Sequence, residues 1–198
     1  MSSSDTAINW LSEPDVAHLK LARRMLKTNP TRAVHDLEDL AERGSIMSMV
    51  YLGWAYSKGD DLTHDAKKAE KWYRKATSAG SALASFYLGV HLLNYGIAEE
   101  AVIAFEIGAN SGFLPSLDRL GKMYFYGIGV PKNRAKAKEL WQRAANLGHV
   151  RAKGRLGFAM AGGSYGIINI PRGVMMIISV VADIYRITNR NPQSDLLR

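Results

Sequence analysis

The chain of 198 residues has no cysteine, and its longest largely apolar run, VMMIISVVA at residues 174–182, is nine residues long. The missing cysteine excludes disulfides, thiolate metal sites and a cysteine nucleophile, and points to a reducing compartment. A bilayer-spanning helix needs about 20 apolar residues. This run is closed upstream by Asn169, Pro171 and Arg172 and downstream by Asp183, so no transmembrane span is expected. The opening stretch MSSSDTAINWLSEPD lacks a basic segment followed by an apolar one, so no signal peptide is expected either. The expected location is cytoplasmic, with attachment to a membrane surface left open. The five histidines never fall at a metal-ligand spacing such as H-E-x-x-H. No metal site and no cofactor is expected.

What is present is a repeat. YLGWAYSKG (residues 51–59) aligns with YLGVHLLNYG (87–96), RLGKMYFYG (119–127) and RLGFAMAGG (155–163). The Leu-Gly pairs begin at Leu52, Leu88, Leu120 and Leu156, in steps of 36, 32 and 36. A second ladder, Gly44, Gly80, Gly112 and Gly148, keeps the same steps. A period of this length marks a stacked-repeat architecture.

Each unit reads as two helices. Four residues before the repeated leucine stands a small residue (Ser48, Ala84, Ser116, Ala152), and four after it a large one (Tyr56, Leu92, Tyr124, Met160). Spacing of four puts these on one helical stripe. The second helix reads AKKAEKWYRKA at residues 66–76 and AKAKELWQRAA at 135–145, pairing Ala69 with Ala137, Tyr73 with Trp141 and Ala76 with Ala144. Small residues bring helices together and the aromatic fills the space beyond. The glycine ladder falls where helix C-termini favour glycine.

Small-x-x-x-Leu-Gly-x-x-Tyr, then Tyr-Gly-x-Gly-Val, then Lys-Ala-x-x-Trp-Tyr-x-Lys-Ala and a closing glycine resembles the Sel1-like repeat family, a relative of the tetratricopeptide repeat. The match is closest over residues 48–80 and 116–148 and extends more weakly over about 33–185. The resemblance implies an all-α fold, a right-handed α-solenoid of about five antiparallel helix pairs, and a non-catalytic interaction scaffold in signalling, secretion or envelope-polysaccharide pathways. Three departures stand out: a shortened second unit with Phe105 at the Tyr73/Trp141 position, a divergent last unit, and no cysteines of the kind that pair within repeats of some secreted members. The expected organisation is a flexible N-terminus (1–14), one repeat domain (15–188; units 15–44, 45–80, 81–112, 113–148, 149–188) and a tail (189–198).

YFYGIGVPKN (residues 124–133) invites a phosphate-loop reading, but such loops follow a strand, and here a helix precedes the glycines. It is expected to be a connector. Glu99 and Glu100 suit a solvated first helical turn, and Ser164 lacks a nucleophile-elbow setting. His91 is expected to be a partly exposed helix residue. No catalytic residues emerge.

A solenoid works through its surface, and first helices line the concave face of helix-pair solenoids. The positions one before, two after and five before each repeated leucine point away from the core stripe. They nominate a groove of Tyr51, Trp54, Tyr87, Val90, Arg119, Lys122, Arg151, Arg155 and Phe158. Packing on a neighbouring unit is the alternative for the apolar members, whereas the arginines are expected to be exposed. Residues 113–155 hold ten of the chain's 26 lysines and arginines but two of its 18 acids. Such a patch suits a protein or peptide with an acidic segment or an anionic membrane, and nucleic acid least, since no nucleic-acid-binding module accompanies it.

The last helix, expected over residues 173–185, is apolar on every side, whereas a terminal repeat needs a polar outer face. Val174, Ile177, Ile178 and Val181 are therefore expected to contact a second copy, a partner, the tail or a membrane. A homodimer is the simplest of these closures. The main reading is an adaptor holding a partner in its groove. The alternative is a peripheral membrane or envelope-complex component docked through the basic patch and this helix.

Overall fold

The computed structural model of the chain describes residues 13–58 and 64–190. The first twelve residues, the connector at 59–63 and the tail at 191–198 lie outside the described residues. Among those described are ten α-helices and no strand. They run α1 (Val16–Met25), α2 (Pro30–Glu42), α3 (Ile46–Lys58), α4 (Ala66–Ser78), α5 (Ala82–Asn94), α6 (Ala98–Asn110), α7 (Leu114–Tyr126), α8 (Arg134–Asn146), α9 (Val150–Ala161) and α10 (Ile170–Arg190). They form five consecutive pairs, α1 with α2 through α9 with α10. The chain divides between Ser111 and Gly112 into two compact units.

The helices start and stop where side-chain chemistry dictates. Asp15, Asn29, Asp65 and Asn133 each accept an N–H from three residues on, capping α1, α2, α4 and α8. Gly44, Gly80, Gly112 and Gly148 have φ of 92°, 90°, 77° and 86°, a left-handed region that side chains avoid. That turn lets Ser45 N–H reach Leu40 O at 2.9 Å and His149 N–H reach Ala144 O at 3.0 Å, closing each helix C-terminus. Glu13 is held rather than free: it accepts from Met47 N–H at 2.9 Å and from the Ser45 hydroxyl, capping α3.

In the N-terminal unit the core is the expected stripe. Ser48, Leu52 and Tyr56 on α3 and Ala84, Leu88 and Leu92 on α5 are buried. The repeated glycine of each first helix admits the aromatic of the second. A Cβ on Gly53 would lie 2.6 Å from the Tyr73 ring, and one on Gly89 2.7 Å from Phe105. The C-terminal unit repeats this at Gly121, where a Cβ would come 2.5 Å from Trp141 Nε1. That indole instead donates to Asp118 O at 3.1 Å, satisfying its polar edge in the core.

The last pair departs from the pattern. Gly157 meets not an aromatic but Ile177 and the backbone of Gly173, and a Cβ on Gly173 would collide with Ala161 N. Two glycines thus let α9 and α10 approach more closely than side chains would allow. The nine-residue run lies within a helix of 21 residues, Ile170–Arg190. By length and composition alone, Ile167–Asn189 would suffice to cross a membrane, a longer apolar segment than the uninterrupted nine-residue run indicates. The connector after α7 is, as expected, a helix-to-helix turn: Gly127 and Gly129 have φ of 75° and 67°, and Asn133 N–H returns to Tyr124 O at 2.7 Å.

Candidate protein-interaction surfaces

The proposed groove residues fall into both units. In the N-terminal unit Tyr51, Trp54, Tyr87 and Val90 are all half-buried. The Arg23 guanidinium sits 5.4 Å from the Tyr51 ring centroid, and burial raises the Tyr51 pKa. Lys58 Nζ lies 5.0 Å from the Trp54 ring. Tyr87 stacks on the core Tyr73 at 5.9 Å with the rings 16° from parallel. Tyr73 itself is pushed up to about 12, chiefly by burial. Three of the four groove positions in this unit are thus partly engaged within it. His91 departs from expectation: it is buried, 4.8 Å from the Tyr95 ring and 6.1 Å from Tyr73, and desolvation lowers its pKa. Glu100, in the first turn of α6, pairs with Arg74 of α4 at 2.5 Å.

In the C-terminal unit the basic groove residues gather around one acid. Asp118, on α7, has a side chain only 3% exposed, and Arg155 Nε of α9 lies 2.8 Å from its Oδ1. This is a close charge contact without the alignment of a hydrogen bond. The Arg155 side chain is 31% exposed and Arg119 is also half-buried, so the expectation that the arginines are exposed is corrected for these two and holds for Arg151. Arg119 is half-buried; desolvation lowers its pKa, with Asp118 opposing and Arg155 and Arg151 adding to the shift. Arg151 and Phe158 are exposed and Lys122 half-buried. His149 caps α9 by accepting Ala152 N–H at Nδ1, 3.1 Å away. Burial first, then Arg151 and Arg155, hold its pKa low against the pull of Asp118. Asp118 thus pairs with Arg155 and also acts electrostatically on Arg119 and His149.

Sequence reasoning missed Asp118, although a signal was there. Two residues before the repeated leucine the other units carry Val50, Phe86 and Gly154, and an acid at that register position is the exception.

A second surface belongs to α10. Val174, Ile178 and Val181 are exposed, as expected, and share one face with Met175 and Tyr185. Ile177, expected among the contact residues, turns inward onto Gly157. The face toward α9 carries polar residues of its own. Lys153 of α9 donates from Nζ to Ser179 Oγ at 2.7 Å and to Asp183 Oδ2 at 2.6 Å.

Residues 46–81 and 115–149 match the Sel1 repeat family, coinciding with the α3–α4 and α7–α8 pairs. A sel1-like repeat-containing protein of Acanthamoeba polyphaga mimivirus is 28% identical over 125 residues, covering 63% of this chain. The chain spans only 23% of that relative's length. Among solved structures, a protective antigen of uropathogenic Escherichia coli with an SLR fold superposes with a TM-score of 0.70 at 24% identity, covering 85% of this chain and 39% of the antigen. A Sel1 repeat protein from Oxalobacter formigenes gives 0.69 at 19% identity, covering 90% and 80%. These likenesses place the fold among the helical solenoids built from such repeats, which serve generally as protein-interaction scaffolds. With its repeat spacing, its glycine-to-aromatic packing and two matched repeats, the chain carries Sel1-like repeats at its α3–α4 and α7–α8 pairs.

Proposed function

We propose that the chain is a non-catalytic scaffold that holds an acidic segment of a partner protein on the first-helix face of its C-terminal unit. The carrying observation is the cluster of positive charge on α7 and α9, where Arg119 feels both Arg151 and Arg155 and the acid beside it, Asp118, is in contact with Arg155. Asp118 offsets one of these charges, and residues 113–155 hold ten lysines and arginines against two acids. Arginine forks suit carboxylates, and a partly desolvated guanidinium interacts with them more strongly than one in water. Exposed Phe158 on α9 offers apolar contact beside that charge.

The test uses a fluorescein-labelled oligoglutamate peptide, with a neutral Gly-Ser peptide as control, read by anisotropy. Because Arg155 engages Asp118, the informative variant is Arg151→Glu with Lys122→Glu. It should weaken oligoglutamate binding roughly tenfold or more, at unchanged helical content, if close charge pairs carry the contact. Equal affinity of the wild type for both peptides, or no loss in the variant, would remove this reading.

A further inference from the structure

We propose that α10 is an in-plane membrane contact: its outward face lies on the surface of an anionic bilayer, with the C-terminal unit docked above it. It concerns a different helix from the acidic-segment reading, and the two share only the excess of basic residues in this part of the chain.

The first observation is that α10 is apolar on its outward face as well as on the face that meets α9. A helix on the surface of a soluble unit buries its apolar stripe and shows its polar one. Here Ser179 and Asp183 point inward to Lys153, while Val174, Met175, Ile178, Val181 and Tyr185 face outward, Ile178 at 56% and Val181 at 63% exposure. The stripe continues past the helix start into Ile167 and Ile168, which are 82% and 88% exposed.

The second is a comparison in register. Matching the residues that meet the repeated glycine, Tyr73 and Trp141 correspond to Ile177. On that alignment α4 carries Glu70, Lys71, Arg74 and Thr77, and α8 carries Lys138, Glu139, Gln142 and Ala145. The same four positions of α10 hold Val174, Met175, Ile178 and Val181. In the shortened pair the same positions, counted from Phe105 of α6, hold Val102, Ile103, Glu106 and Ala109, so of the four helices aligned in this way α10 is the one with no charged or polar residue at any of them.

The third selects the occupant. Residues 113–198 hold fourteen lysines and arginines against four acids. Arg172 is exposed in the first turn of the helix, and Asp183 is taken by Lys153 and Arg186. Joining two copies across this face would bring two strongly positive units together with no acid on the stripe to offset them. An anionic bilayer supplies an apolar phase and the opposite charge at once. Tyr185 closes the stripe with a ring suited to the headgroup region. From Ile170 to Tyr185 the helix is about 22 Å long, at 1.5 Å per residue. Crossing the bilayer would instead strip Asp183 and Ser179 of Lys153 and break the Gly173–Gly157 approach, so the helix lies on the surface.

The experiment is flotation of the full chain with phosphatidylcholine vesicles, with and without phosphatidylglycerol, alongside light scattering coupled to size exclusion without lipid. The wild type should float only with the anionic vesicles, bind roughly tenfold more weakly at high salt, leave the vesicles on carbonate washing, and run as a monomer. Ile178→Glu with Val181→Glu should abolish flotation with unchanged circular dichroism. Ile178→Ser with Val181→Ser provides the same comparison should the charged pair fail to fold. Absent flotation of the wild type, or undiminished flotation of the serine variant, overturns the proposal. So does a dimer that the variants dissociate, which would give the face to a second copy. Resistance to carbonate would show the helix crossing the bilayer and overturn the in-plane arrangement.

Discussion

Asp118 and Arg155 meet across the α7 and α9 helices with Nε 2.8 Å from Oδ1, the acid almost sealed from water and the base one-third exposed. A buried charge is tolerated only when paired, and removing one partner costs about 3–5 kcal/mol when both are buried. Here Arg155→Ala should destabilise the fold by about 2–3 kcal/mol, less because water reaches the guanidinium. Asp118→Asn should cost less than Arg155→Ala, since the arginine it strands can turn to solvent. Urea denaturation checks both the sizes and their order.

Glycine-to-alanine substitutions separate side-chain from backbone obstruction. A Cβ at Gly173 would strike backbone, Ala161 N and Gly157 O, which cannot rotate away. A Cβ at Gly157 would lie 3.1 Å from the movable Ile177 Cγ1 but also 3.3 Å from Gly173 O. At Gly121 the obstacle is the Trp141 ring, which can tilt. Overpacking costs about 1–3 kcal/mol, while alanine regains about 1 kcal/mol of helix propensity. Gly173→Ala should therefore be the most destabilising of the three and Gly157→Ala the least, as read from thermal midpoints.

His149 links stability to acidity. Its Nδ1 accepts from Ala152 N–H, which requires the neutral ring, and burial with Arg151 and Arg155 lowers its folded pKa. The folded state thus binds the proton less readily than the unfolded chain. The contribution is fully present above the unfolded value of about 6.5 and is lost as pH falls through the lower folded one. His149→Asn keeps an N-capping side chain without the titration. Between about pH 7.5 and 5 the wild type should lose more melting temperature than this variant, and parallel profiles would show that His149 is not a source. Buried His91 carries the same sign and remains in both proteins, so the difference isolates His149.

The helix pairs were legible in the residues because they depend on local rules. The small-Leu-large stripe at spacing four, the cap residues Asp65 and Asn133, and the glycine turns at 44, 80, 112 and 148 each act within one or two helical turns. Periodicity also put Val174, Ile178 and Val181 on one face, because angular position along a single helix needs no knowledge of its neighbours. The outward direction of that face and the inward turn of Ile177 were decided by packing on α9. Tertiary packing decided the use of each polar side chain. Arg155 and Asp118 are 37 residues apart in the chain and Lys153 and Asp183 30 apart, so no local spacing joins them. Their pairing depends on how far one helix is rotated against the next, which the apolar stripe constrains only loosely. The burial of His91, the stacking of Tyr87 on Tyr73 and the inward turn of Ser179 and Asp183 have the same origin. Desolvation depends on what lies across the gap, and that exists only once the helices have docked.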